Sequence, residues 1–263
     1  MYNYIVKSKD KHINNSKLLS KVFILMLVFT LGVIFSMCPA SKVNATENST
    51  SVKQEQTLDC IAKLEKNYIA SNTSAKAKKS VSTYSAVECV AKGKNIVIKK
   101  SDLDYYVERA MSLGKTDIEK ATEYELNYLV RRAVLYNQAV SKGYKVNNSD
   151  VNSYIDEQIE TSKLVDDDTY SDYLKKLGMT SEEYWNSQFD SLKIDLSISD
   201  YLAAEKKKIA KENNLQVSDE NNVVVIAESD GDYEKLENLW NDYYENLVQN
   251  LIDKENIVYS YNK

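Results

Sequence analysis

Between Asp117 and Asn213 the chain reads as four helices in succession, each with a start signal and an apolar stripe and most with a stop. No other stretch constrains the fold as tightly. The first helix carries Ile118, Ala121, Leu126, Leu129, Val130, Ala133, Val134 and Val140 on a broad face and ends at Gly143. A stripe that wide suits burial against more than one neighbour. Asn147, with Asp150 three residues later, can cap the second helix, which buries Val151, Tyr154, Ile155 and Ile159. The third carries Tyr170, Tyr173, Leu174 and Leu177, and Gly178 can take the left-handed conformation that closes it. The last opens at Thr180, whose hydroxyl and the Glu183 carboxylate can cap each other reciprocally. It then runs through Trp185, Phe189, Leu192, Leu196, Tyr201 and Leu202 to a charged end at Glu205 to Glu212. Nothing in the stretch groups catalytic side chains; it is a scaffold for holding something.

The flanks are sparser. Residues 46–85 are rich in Ser, Thr, Lys and Asn and read mainly as flexible linker, with Leu58, Ile61, Leu64 and Tyr68 spaced for a short helix. From Ala86, alternation at Val87, Cys89 and Ala91, a turn at Lys92-Gly93-Lys94-Asn95 and the run Ile96-Val97-Ile98 predict a β-hairpin. Ser101 is placed to cap a helix with Leu103, Tyr106, Val107, Ala110 and Leu113, stopped by Gly114. Beyond Asn214 the pattern weakens; Val223-Val224-Val225-Ile226 reads as a short strand with no obvious hairpin partner. A final helix from about Tyr233 carries Leu236, Leu239, Trp240, Tyr243, Leu247 and Leu251, and Asn256 to Tyr261 can add one strand to a sheet. The expected class is mostly α, a multi-helix cradle with a small β-hairpin plus a C-terminal strand.

Charge divides the chain into unlike parts. Residues 1–45 hold six lysines against Asp10, a balance of +5, so the remainder carries −10 of the overall −5. A body this acidic repels phosphate backbones and argues against nucleic acid as partner. Ahead of it, the lysine-bearing N-terminus leads into the apolar run Val22 to Met37, short for a membrane span but suited to a secretory signal, with cleavage expected after Ala45. The alternative is an uncleaved anchor; both put the body outside the membrane, with membrane contact only through this segment. Cys38 follows Met37 rather than the small residue of a lipobox, which argues against lipidation. In an exported chain Cys60 and Cys89 can pair as a disulfide or stay as two thiols. The run Asp166-Asp167-Asp168 lacks the spacing, glycine and terminal glutamate of a calcium loop and reads as a charged turn; no metal or cofactor is expected.

The order of elements resembles the chaperone domains of the SurA and PrsA family. Ala91-Lys92-Gly93-Lys94-Asn95-Ile96-Val97-Ile98-Lys99-Lys100-Ser101-Asp102-Leu103 is similar to that family's opening hairpin and first helix. Leu129 to Ala139, continuing to Gly143-Tyr144-Lys145-Val146, resembles its second helix and following turn. Leu174-Lys175-Lys176-Leu177-Gly178-Met179-Thr180-Ser181-Glu182-Glu183-Tyr184-Trp185 is similar to its most recognisable segment, and Leu251 to Tyr259 to the returning helix and strand. The likeness spans residues 86–263 with a weak middle at 214–232, which implies one helical chaperone domain. In such foldases whole parvulin-type isomerase domains sit between the long helix and the last one. Here that interval is only 214–232, too short for a domain, since folding alone is marginal below about 40 residues.

The histidine that parvulin chemistry implies is also missing beyond the N-terminal segment, where His12 is the sole histidine of the chain. The resemblance therefore implies a holdase or folding helper for unfolded or nascent exported polypeptides, without isomerase activity. A single-partner secretion or assembly adaptor on the same scaffold, or a prolyl isomerase by family label, are the competing readings, and a homodimer is compatible with each. Of the 20 tyrosines, 18 lie beyond residue 45. Tyrosine offers a large apolar body, a polar tip and few rotors to freeze. Tyr184, Trp185, Phe189, Tyr201, Trp240, Tyr243 and Tyr244 are the candidate peptide-binding residues. Packing between helices is the competing role for each.

Overall fold

A computed structural model describes residues 47–77, 88–164, 168–220, 224–227 and 230–260. The chain is mostly α. In order come α1 (Glu47–Ala77), β1 (Cys89–Lys92), β2 (Val97–Lys99), α2 (Lys100–Ser112), α3 (Ile118–Ser141), α4 (Asn148–Leu164), α5 (Asp168–Leu177), α6 (Ser181–Ser187), α7 (Phe189–Glu212), β3 (Val217–Glu220), β4 (Val224–Ala227), α8 (Asp230–Glu255) and β5 (Val258–Tyr259). The described helices include none long and apolar enough to cross a membrane. The expected signal segment and its cleavage point after Ala45 lie outside the described residues.

Two expectations about the organisation of the chain change. The segment 46–85, expected to be mainly linker, contains the 31-residue helix α1. Its Ser and Thr content disfavours helix, but Ile61, Ala62 and Glu65 are buried on one face, and tertiary packing of a face outweighs propensity. Residues 86–263 do not form one compact body either. The chain divides into two units, one from residues 47–66 and 148–192 and the other from 67–147 and 193–260.

In the first unit Ile61 and Ala62 of α1, Val151 and Ile155 of α4, Tyr170, Tyr173 and Leu177 of α5, and Tyr184 and Trp185 of α6 are all buried. Gly178 sits at φ +69° after α5, where only glycine is unstrained. The capping box is present: the Glu183 N–H donates to Thr180 Oγ1 at 3.1 Å, and the Thr180 N–H donates to Glu183 Oε2 at 2.8 Å. The helix it starts is shorter than expected, because the run splits at Gln188 into α6 and α7. Ser187 Oγ donates to the Tyr184 carbonyl at 2.6 Å, and the Gln188 N–H turns to the Trp185 carbonyl at 3.1 Å. A side chain thus supplies the donor that the helical ladder would have given. Asp168 opens α5, while the other two aspartates of that run lie outside the described residues.

The second unit is built on a three-stranded antiparallel sheet in the order β2-β1-β5, so the last described strand pairs with the first. A bulge between Cys89 and Ala91 turns both Val90 and Ala91 inward, where strict alternation would have put one outside. Beneath it lies a core of Ile98, Leu103, Val107, Leu129, Val130, Val134, Tyr201 and Val248. The helix α2 starts one residue before Ser101, with Lys99 at its N-cap and no side-chain cap, so the capping role expected of Ser101 is absent. Asp117 does cap α3, accepting from the Lys120 N–H at 3.1 Å. The strand read at residues 223–226 has a partner after all, since β4 pairs antiparallel with β3 from Val217–Ala227 to Glu220–Val224. Asp219 and Glu220 carry no strand signal; backbone pairing alone makes that segment a strand. Glu255, at the end of α8, clamps the hairpin turn by accepting from the Asn95 N–H at 2.8 Å and the Asn95 side-chain amide at 3.0 Å.

Candidate functional site

The seven aromatic residues singled out from the sequence separate into core and surface. Tyr184 and Trp185 are 1% and 3% exposed in the first unit, with the Tyr184 ring edge-on to Tyr173 at 5.9 Å and to Trp185 at 5.6 Å. Tyr201 is 1% exposed in the second unit, 5.7 Å from the Tyr144 ring. These three are packing residues in this conformation and present no surface to a client, which corrects the expectation for them. Phe189, the first residue of α7, is half-buried in the first unit. Cys60 and Cys89 are not in a disulfide; Cys60 is exposed on α1 and Cys89 is half-buried in β1.

Trp240, Tyr243 and Tyr244 behave differently. Spaced along one face of α8, they are half-buried and touch one another, with the Trp240 centroid 5.9 Å from each of the two tyrosines. Cations cover part of the patch. The Arg131 guanidinium lies 5.3 Å from the Tyr244 centroid, and the Lys206 ammonium lies 5.8 Å from that of Trp240. Each cation is anchored from behind: Arg131 holds both Glu245 oxygens, at 2.7 and 3.0 Å, and Lys206 holds Glu237 at 2.5 Å. The Tyr243 hydroxyl donates to Glu205, and burial raises its pKa, so it remains a donor at any physiological pH. The patch joins ring faces, fixed cations and carboxylates, a surface that can contact apolar and polar side chains alike.

A second feature escaped the sequence. Along the outer side of β2 runs a groove of about 250 Å³, floored by Ile96, Leu129, Ala133 and Ile194 and flanked by Asp102 and Arg132. Arg132 is held by Asp195 at 2.7 Å and is kept charged by it. Asp102 forms no ion pair among the described residues; its carboxylate accepts from the Tyr68 hydroxyl at 3.3 Å, and burial raises its pKa. Tyr68 in turn stacks on Tyr105 at 4.0 Å. These residues come from four separate helices and a strand, so no local spacing reveals the groove. In β2 Val97 and Lys99 are exposed and Ile98 is buried, and Val97 is an apolar residue 55% exposed.

Among the described residues, no group of three or more His, Cys, Asp or Glu side chains is placed to hold a metal ion. No family model matches the chain, and neither a curated protein nor a solved structure matches it.

Proposed function

We propose that this chain is an exported folding helper that binds unfolded segments of other polypeptides weakly and releases them without chemistry. The observation that carries the reading is the half-buried patch of Trp240, Tyr243 and Tyr244 with its two fixed cations. Such a patch contacts apolar segments through ring faces while remaining wet enough not to aggregate, because its cations and carboxylates hold water at its rim. The −10 balance beyond residue 45 supports the same reading, since it keeps a loaded complex soluble and draws basic clients. The likeness of element order to SurA- and PrsA-type chaperones agrees with it and gives the proposal its cellular setting, outside the cytoplasmic membrane.

The test is light scattering of a chemically unfolded client with the protein purified from cells expressing the full chain. Suppression at near-stoichiometric ratios is expected. The double variant Trp240→Ala, Tyr244→Ala should lose most of that suppression while keeping its helical circular dichroism. Suppression that survives the double variant would move the client surface elsewhere. A protein inert towards several unrelated clients would instead be an adaptor for one partner.

A further inference from the structure

We infer that the groove beside β2 takes an extended polypeptide segment with the pattern apolar–any–basic, which adds to the sheet as a strand next to β2. The inference rests on the polypeptide-binding reading above and assigns it a second contact surface with its own sequence preference.

The backbone supplies the first argument. Among the described residues β2 is an edge strand, with β1 on one side only. The Gly93 N–H donates to the Ile96 carbonyl at 2.9 Å, so the next antiparallel pair, Lys92–Val97, is of the kind that exchanges no hydrogen bonds. The N–H and C=O of Val97 therefore point away from β1, towards the groove side, and neither has a partner among the described residues. One residue of an added strand can satisfy both. To either side the edge is already occupied: the Asn95 N–H goes to Glu255, the Asn95 carbonyl accepts from Asn137, and at Lys99 the backbone turns into α2 as its N-cap position. The docking is thus limited to one exchanged pair, which suits weak and rapid binding.

The side chains supply the second argument. In a strand paired through a residue opposite Val97, that residue points to the same face as Val97, and its two neighbours point to the other. On that other side lies the groove, with its apolar floor of Ile96, Leu129, Ala133 and Ile194 and, at its flank, the Asp102 carboxylate. One neighbour fills the floor and the other brings a cation to Asp102. The preference for a cation follows from the charges present. Arg132 is already neutralised by Asp195, whereas Asp102 has only the Tyr68 hydroxyl and the more distant fields of Lys99 and Arg132. An incoming acidic side chain would meet a carboxylate that has no ion pair of its own; a lysine or arginine would supply one.

The experiment uses the purified full-chain product and three capped, fluorescent heptapeptides. Their central triplets are Leu-Thr-Lys, Leu-Thr-Glu, and Leu-Thr-Lys with the central threonine N-methylated. Anisotropy reads affinity, and hydrogen exchange reads the Val97 amide. The lysine peptide should bind about tenfold more tightly than the glutamate peptide, the scale of one charge-assisted bond. N-methylation should weaken it about fivefold by removing one neutral backbone bond. Asp102→Asn should level the lysine and glutamate peptides, and bound lysine peptide should slow exchange at Val97. Equal binding of the two charged peptides, or peptide binding that leaves Val97 exchange unchanged, would overturn the inference. So would protection of Val97 that appears without peptide and grows with protein concentration alongside a doubled mass, because the occupant would then be a second copy of this chain. Client suppression without any effect at Val97 removes the groove and leaves the proposed function. Peptide binding at Val97 without client suppression removes the general folding helper and leaves the groove.

Discussion

Glu125 should make the protein lose stability as the pH rises from acid to neutral. It lies in α3 at 1% exposure, and its Oε1 has no hydrogen-bond partner. Burial raises its pKa from 4.5 to about 7, against the opposing fields of Arg109 and Lys115. An acid whose pKa is raised on folding holds its proton in the native state after the unfolded chain has released it. Stability therefore falls with rising pH between about 4.5 and 7 and levels off above, the reverse of a salt-bridged carboxylate. At about 1.4 kcal/mol per pH unit, this displacement corresponds to about 3 kcal/mol at pH 8. Glu125→Gln imitates the protonated side chain, so the variant should match the native protein near pH 4.5. It should exceed it by about 3 kcal/mol at pH 8. Urea unfolding across that range is the assay, because a neutral denaturant leaves the charges unscreened. Parallel pH profiles for the two proteins would mean that Glu125 titrates alike in the folded and the unfolded chain. A native protein more stable than the variant at pH 8 would mean that attraction to the buried Arg109 outweighs the cost of burying the charge.

Two further perturbations test the fold. Glu255→Ala removes the acceptor for both nitrogens of Asn95 and should cost about 1–2 kcal/mol, seen as a lower urea midpoint; an unchanged midpoint would show that backbone pairing alone holds the turn. Thiol titration of the native protein should find Cys60, exposed, reacting faster than Cys89, half-buried, and a mass two hydrogens lighter than the reduced chain would contradict the absence of a disulfide.

Helix ends were legible because their signals are local. Asp117 and Thr180 cap as their side chains allow, and Gly114, Gly143 and Gly178 all adopt positive φ where helices stop. The break at Gln188 was not legible, since Ser187 gives no sequence sign of which carbonyl its hydroxyl will take. Likewise β3 is a strand only because β4 lies beside it. The site suffered from a different ambiguity. Tyrosine at helical spacing is written the same way whether its ring is buried, as in Tyr184 and Tyr201, or half-exposed, as in Tyr243 and Tyr244. Only contacts between distant segments separate the cases. The groove beside β2, assembled from residues 95–98, 102, 129–137 and 194, depends on such contacts entirely.

The pairing of β5 with β1 bears on how the protein is made. Ala91 finds its neighbour in Tyr259, and the turn beside it is gripped by Glu255, so the sheet is completed only by residues made long after its first strand. A ribosome delivers the chain in order, and contacts this distant in sequence form late and slowly. Until residue 259 emerges, β1 shows a bare edge on that side and the core loses Val248 and Leu251 of α8. A chain interrupted before residue 259 thus leaves this unit open and vulnerable to proteases, whereas the arrival of β5 seals it. In this fold, the arrival of residues 248–259 is a condition of that unit's stability.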